Sequence, residues 1–204
     1  MNPHVVRFDD SNLPDLIAEC LETGKTIVFP TDTVYGIGGN PWDERTLARI
    51  RRLKRRPEGE PFTLHLSTVE GIEKFARLND RLRREVRRLL PGAYTLLLPA
   101  REGAPPSAVK GNLVGIRVPD HPLFADVLGR LDRPVFGTSV NLPGEPPIND
   151  VSTIIERFSR SIDLLITGEV GGTPSTILDL SVDPPRIVRP GSAGDRLEPG
   201  DEMA

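Results

Sequence analysis

Apolar residues in this chain switch repeatedly between the 3.6 period of a helix and the 2 period of a strand. That alternation restricts the chain to a layered α/β domain. Leu13, Leu16, Ile17, Cys20 and Leu21 recur at helical spacing, and Gly24 is a stop signal. The run from Thr26 to Pro30 reads as a buried strand, and Asp43 can cap a helix with Leu47, Ile50 and Leu53 inward. Phe62, Leu64 and Leu66 alternate with Thr63 and His65, the pattern of a half-buried strand. A long helix follows Asn79, with Leu82, Val86 and Leu89 inward, and Pro91-Gly92 ends it. Tyr94 to Leu98, Leu113 to Val118, Val135 to Thr138, Leu164 to Thr167 and Thr176 to Leu180 are further strands. Pro122 to Leu131 and Val151 to Ser159 are helices. The strand at Leu113 can pair with the one at Tyr94 as a hairpin partner, which predicts a mixed sheet.

The 204 residues suffice for a sizeable core without a disulfide or metal staple. With 37% hydrophobic and 27% charged residues, the composition is that of a soluble protein. A net charge of −3 gives no general attraction to nucleic acid or membrane. Cys20 stands alone, which excludes an internal disulfide and a Cys-clustered zinc site, and its place on an apolar helix face reads as an inert core thiol. The N-terminus carries no signal-peptide stretch, and no run is long enough to span a bilayer, so a cytoplasmic location is expected. Residues 1–191 are expected to form one domain and 192–204, rich in Gly, Pro and acidic residues, a loose tail.

Three separated stretches supply the parts of a site for an anionic ligand: Pro30-Thr31-Asp32-Thr33-Val34-Tyr35-Gly36, Lys54-Arg55-Arg56-Pro57 and Thr138-Ser139-Val140-Asn141. They offer cations before a rigid Pro, and hydroxyls, an amide and a carboxylate at strand ends. None is a Walker A loop or a dinucleotide fingerprint. Asp32 between two threonines is equally well a plain turn residue. Lys54 and Arg56 flank a helix end and can grip a phosphate from two sides. His65 stands opposite the apolar residues of its strand, outside the core. If its side lines a cleft, it can bond an anion or act as a base. Ser139 has no nucleophile elbow, which leaves it a hydrogen-bonding role beside Asn141. Arg117 is a fixed cation before Pro119. Ser175 and Arg189 lie in segments that read first as turns.

Basic runs at Arg49, Arg51 and Arg52 and from Arg81 to Arg88 read first as solvated helix faces, with an RNA-backbone patch as the alternative.

Taken in order, these segments resemble the YrdC family of threonylcarbamoyl-AMP synthases. The resemblance runs from about Gly24 to Gly191. It includes the Pro30-to-Gly36 stretch, Lys54-x-Arg56-Pro57, Pro91-Gly92-Ala93-Tyr94-Thr95-Leu96, Gly115-Ile116-Arg117-Val118-Pro119, Thr138-Ser139-Val140-Asn141, Ser175-Thr176-Ile177-Leu178-Asp179 and Arg189-Pro190-Gly191.

The resemblance implies a single-domain, twisted mixed sheet with helices packed on it, around a positively charged cavity. It implies condensation of L-threonine, bicarbonate or CO2, and ATP into threonylcarbamoyl-AMP and pyrophosphate. The product would pass to a threonylcarbamoyl transferase acting on tRNA. Thr33, His65, Arg117, Ser139 and Ser175 would hold threonine. Lys54, Arg56, Asn141 and Arg189 would hold ATP, and Lys54, Arg56, Ser139 and Asn141 would carry catalysis. Magnesium would accompany the ATP, through ligands the sequence does not name.

Glu60, Leu113 and Pro147 depart from the family pattern on the expected ATP side. Leu142-Pro143-Gly144 resembles the YciO branch, whose implied alternative is a double-stranded-RNA-binding protein with little or no synthase activity; RNA bound directly would be tRNA or double-stranded RNA.

Overall fold

The computed structural model describes residues 2–193. In chain order the strands and α-helices are β1 (His4–Arg7), α1 (Leu13–Thr23), β2 (Ile27–Phe29), β3 (Gly36–Gly39), α2 (Glu44–Leu53), β4 (Thr63–His65), α3 (Asp80–Leu89), β5 (Tyr94–Pro99), β6 (Val109–Lys110) and β7 (Leu113–Arg117). Then come α4 (Gly129–Leu131), β8 (Val135–Ser139), α5 (Val151–Phe158), β9 (Leu164–Thr167), β10 (Thr176–Asp179) and β11 (Arg186–Arg189). The strands form one mixed sheet in the order β1-β9-β2-β3-β8-β4-β7-β5-β10-β11, with β6 added beside β7. The expected pairing of β5 with β7 is present and antiparallel, whereas β4 and β7 run parallel.

Local chemistry sets the helix ends. Asp43 accepts a hydrogen bond from Thr46 N at 2.8 Å, and Asn79 accepts one from Leu82 N at 2.9 Å. Each cap satisfies a donor that the first turn leaves unpaired. Gly24 closes α1 at φ 68°, in the left-handed region. The helix expected over 122–131 is a π-helical turn, Leu123–Leu128, continuing into α4.

Helices cover both faces of the sheet. Leu13, Ile17 and Leu21 of α1 pack with Ile27, Leu164 and Ile166. The alternate residues Val28 and Leu165 face the other way, against Leu47 and Ile50 of α2 and Ile154 and Phe158 of α5. Leu82, Val86 and Leu89 of α3 pack on Leu96, Val114, Ile116 and Leu178. Cys20 is buried in the α1 layer, where burial pushes its thiol up to about 11, consistent with an inert thiol.

Four strands were not expected: β1, β3, β11 and the two-residue β6. β3 is built from Gly36, Ile37, Gly38 and Gly39, a composition that reads as a turn. Its glycines permit close backbone contact: a Cβ on Gly38 would lie 1.7 Å from Phe136 O. β1 and β11 are the two short edge strands, with little burial to mark them. The expected loose tail lies outside the described residues from 194 onward. Ser192 and Ala193 are held in place: Ser192 N donates to Pro174 O at 2.9 Å and Tyr94 Oη to Ala193 O at 2.6 Å.

Candidate functional site

A cavity of about 740 Å³ opens beside the centre of the sheet. The pairing of β4 with β7 puts His65 beside Arg117, and the pairing of β3 with β8 puts Gly36 beside Ser139. Thus segments distant in sequence converge on one hollow. Of the sequence-derived site residues, Arg56, His65, Arg117, Ser139, Asn141, Ser175 and Arg189 line it; Lys54 and Thr33 stand behind its wall. Four lining cations, Arg56, Lys110, Arg117 and Arg189, outnumber the two lining carboxylates, Glu60 and Glu145, so the cavity is positively charged as expected.

One end is built around Arg117, which is nearly fully buried. Its Nη2 donates to Asp32 Oδ1 at 2.5 Å, Nη1 to Thr33 Oγ1 at 2.6 Å, and Nε to Gly92 O at 3.4 Å. A guanidinium has five N–H groups, so one on each Nη remains for a ligand. Burial lowers the Arg117 pKa and the Asp32 carboxylate opposes that shift. Thr33 Oγ1 lies 3.0 Å from Thr31 Oγ1, which in turn donates to Val34 O at 2.7 Å. Thr33 therefore acts through Arg117. Ser175 Oγ lies 2.9 Å from Thr95 Oγ1, and Arg189 Nη2 donates to Ser175 O at 2.9 Å.

His65 needs correction. Its side of the strand does line the cavity, but the residue is buried, edge-on to Phe29 at 5.5 Å and tilted against Phe124 at 6.0 Å. Burial, with the Arg117 charge adding, pushes its pKa down to about 3. A neutral imidazole does not attract an anion and is a weak base. Its Nδ1 lies 3.3 Å from Thr63 O, an acceptor, which assigns the proton to Nδ1 and leaves Nε2 as an acceptor.

Lys54 also takes a different place from that expected. Its Nζ donates to Ser139 O at 3.0 Å, to Asn141 O at 2.8 Å and to Asn141 Oδ1. All three ammonium protons are engaged in the 139–141 loop. Burial, with Arg56 nearby, pushes the Lys54 pKa down to about 8. Asn141 is equally committed. Its Oδ1 accepts from Ser139 Oγ at 2.7 Å, and its amide donates to Leu142 O at 3.1 Å and Glu145 O at 2.6 Å. Ser139 and Asn141 do share one side, as their alternation implied, but they serve each other and the loop.

Arg56 is the cation that faces the other end. Its Nη2 donates to Pro61 O at 2.5 Å, and its guanidinium lies over the Phe62 ring at 5.0 Å. Glu60, one of the residues that departs from the family pattern, is paired with it at 3.1 Å. Leu113 and Pro147 line the cavity as well. Sequence reasoning missed Lys110, Thr95, Tyr35 and Glu145 on the wall. Thr95 and Tyr35 lay inside quoted motifs. Lys110 precedes the Gly111 turn, where a charge reads as merely solvated.

The Sua5/YciO/YrdC family model, described as "Telomere recombination", matches residues 19–191. A Haemophilus influenzae protein described as uncharacterized is 35% identical over 179 residues, covering 85% of this chain and 86% of its own. Threonylcarbamoyl-AMP synthase of Pyrococcus abyssi is 33% identical over 181 residues, covering 86% of this chain and 53% of its own, so the chain spans about half of that enzyme. YciO of Escherichia coli is 32% identical over 177 residues, covering 85% of this chain and 86% of its own. Among solved structures, P. abyssi Sua5 complexed with L-threonine matches with a TM-score of 0.87 at 29% identity, covering 100% of this chain and 63% of that one. E. coli YciO matches with a TM-score of 0.85 at 29% identity, covering 94% and 96%.

Proposed function

The chain belongs to the Sua5/YciO/YrdC family, and on that premise we propose that it is an L-threonylcarbamoyladenylate synthase, a nucleotidyltransferase. Its substrates are L-threonine, bicarbonate or CO2, and ATP; its products are threonylcarbamoyl-AMP and pyrophosphate. A threonylcarbamoyl transferase would consume the adenylate for tRNA modification. The observation that carries this reading is the division of one cavity into two ends. Arg117, with hydroxyls and a neutral His65, suits an amino acid, and Arg56, Lys110 and Arg189 suit phosphates.

The remaining N–H pair of Arg117 fits the threonine carboxylate in fork geometry. His65 Nε2, Ser139 and Ser175 are the partners offered to its hydroxyl and amine. The bound ammonium gives up a proton to solvent, and the neutral amine adds to CO2, releasing a second proton to solvent as the carbamate anion forms. A carbamate oxygen attacks the α-phosphorus, the bond to the β-phosphate oxygen breaks, and pyrophosphate leaves. The protein contributes position and charge neutralisation, with Lys54 and Asn141 holding the loop that presents Ser139.

Magnesium accompanying the nucleotide would stabilise charge on the leaving phosphates. Among the described residues there is no group of three or more His, Cys, Asp or Glu that could hold a metal. The lining carboxylates Glu60 and Glu145 are paired with Arg56 and Arg157, so the ion would take its ligands from phosphate and water.

RNA binding is the weaker reading. Arg49 pairs with Asp163 at 2.7 Å, Arg83 with Glu73 at 2.9 Å, and Arg88 with Glu85 at 2.6 Å. Arg51 and Arg81 donate to backbone carbonyls. Much of both basic runs is thus engaged within the fold. No helix among the described residues is long and apolar enough to cross a membrane.

The test is release of pyrophosphate with capture of labelled bicarbonate in threonylcarbamoyl-AMP. Release must require both threonine and bicarbonate; release independent of either would reject the proposal.

A further inference from the structure

Asp32 is the one carboxylate that meets Arg117 in an ion pair among the described residues. It does so from behind. Arg117 lines the cavity, and Asp32 does not. The pair is secluded, with side-chain exposures of 5% for Arg117 and 16% for Asp32.

The segment carrying Asp32 is fixed on its far side. Gly172 N donates to Thr33 O at 2.6 Å, and a Cβ on Gly171 would lie 2.6 Å from Asp32 O. Only glycine allows that approach. Asp32 and Thr33 therefore hold one N–H on each Nη of Arg117, and one on each Nη is left on a side chain that lines the cavity.

Charge adds a second consequence. A buried guanidinium without a counterion would draw any small anion that fits. With Asp32 in place the Arg117 charge itself is balanced, and Arg189 is the further cation felt at this end. A fork whose own charge is balanced favours a ligand that carries its own balancing charge, a zwitterion, over a simple carboxylate.

We propose that Asp32 is a positioning and specificity-determining residue that aims the Arg117 fork and, as its counterion, makes this end of the cavity select a zwitterionic amino acid over a plain anion. The inference rests on the reading of this end as the amino-acid subsite. It places on Asp32 a role in discrimination, with no contact to the reacting atoms.

The test compares L-threonine with 3-hydroxybutyrate, which keeps the carboxylate and hydroxyl and lacks the ammonium group. Both are titrated by calorimetry into the wild-type protein and Asp32→Asn, which keeps the side chain's shape and an acceptor oxygen. Removing a unit charge a few ångströms from the ligand should make 3-hydroxybutyrate bind about tenfold tighter. Threonine should bind no tighter, so the preference for threonine falls by about that factor. Asp32→Glu keeps the charge and should keep the preference while weakening both ligands. Should Asp32→Asn not fold, Asp32→Ser carries the same comparison. A merely structural role would weaken both ligands equally and leave the ratio unchanged, which would overturn the proposal; so would 3-hydroxybutyrate binding no tighter to the variant. Failure of the wild-type protein to bind threonine would count against the amino-acid reading of the site. The 3-hydroxybutyrate comparison would still judge Asp32.

Discussion

The Glu60 carboxylate stands 3.1 Å from Arg56 Nε, and both residues line the cavity. The contact is an ion pair without hydrogen-bond alignment, since Arg56 Nε is buried and has no hydrogen-bond partner. Glu60 therefore competes with a phosphate for the guanidinium while leaving it incompletely satisfied. Glu60→Gln should tighten ATP binding by about three- to tenfold, because it removes an opposing charge and keeps the side chain's size. Calorimetric titration of nucleotide checks this, and unchanged or weaker binding would show that Glu60 stands away from the phosphates.

Arg56→Ala should act in the opposite direction. A hydrogen bond to a charged group contributes about 1.5–3 kcal/mol, which corresponds to a loss of roughly one to two orders of magnitude in ATP affinity. Arg84→Ala, an exposed position on α3, should leave it unchanged. Equal affinity in Arg56→Ala and wild type would remove Arg56 from the site.

His65 predicts an acid-linked loss of stability. Its folded pKa is depressed from 6.5 to about 3, so between those values the unfolded chain binds a proton that the folded chain does not. Stability then rises with pH across that window. The His65 contribution is complete above about pH 6.5 and is lost progressively toward pH 3. In His65→Gln, urea midpoints measured from pH 7 to 4 should fall less steeply than in wild type. Parallel curves would mean that His65 is protonated in the fold.

Whatever depended on near neighbours was legible in the sequence. The caps Asp43 and Asn79, the alternation around Leu64 and the inward faces of α1, α2 and α3 follow from spacing alone, and the structure bears them out. What was missed depends on distant partners. Lys54 meets Ser139 and Asn141 across more than eighty residues, and only the assembled sheet shows that its ammonium is already engaged. The face on which His65 lies was read correctly, but its burial comes from Phe29 and Phe124, on other elements. The edge strands β1 and β11 bury too little to leave a pattern, and the glycines of β3 imitate a turn.

The amino-acid end should read the hydroxyl as well as the carboxylate. His65 Nε2 and the remaining acceptor lone pairs of Ser139 and Ser175, whose hydroxyls already bond Asn141 Oδ1 and Thr95 Oγ1, are offered to it, and valine would leave His65 Nε2 unpaired in a buried site. Sites built to hydrogen-bond a hydroxyl reject the analogue lacking it far more strongly than apolar pockets reject a missing methylene. Threonine should support pyrophosphate release with a kcat/KM at least about a hundredfold above that of valine. Comparable use of the two would show that the pocket reads only the carboxylate and amine.

The last prediction separates the synthase from an RNA-binding protein by salt and charge reversal. Binding of duplex RNA through α2 and α3 would rest on phosphate contacts, and each neutralised phosphate releases counterions, so affinity would fall steeply with salt. Ligands inside a partly enclosed cavity are screened much less. The α3 cations Arg83 and Arg88 already have carboxylate partners, so any RNA patch would lean on the exposed Arg84 and Arg87. Reversing those two to Glu should abolish residual duplex binding measured by fluorescence anisotropy. It should leave threonine- and bicarbonate-dependent pyrophosphate release within about twofold of wild type, because surface changes far from a site perturb it little. Tight duplex binding at physiological salt, lost in the reversed variant and accompanied by no pyrophosphate release from wild type, would reverse the assignment. The nucleotide end would then be where the chemistry failed, with Glu60 holding Arg56 and with the apolar Leu113 and Pro147 on the wall offering no side-chain hydrogen bond.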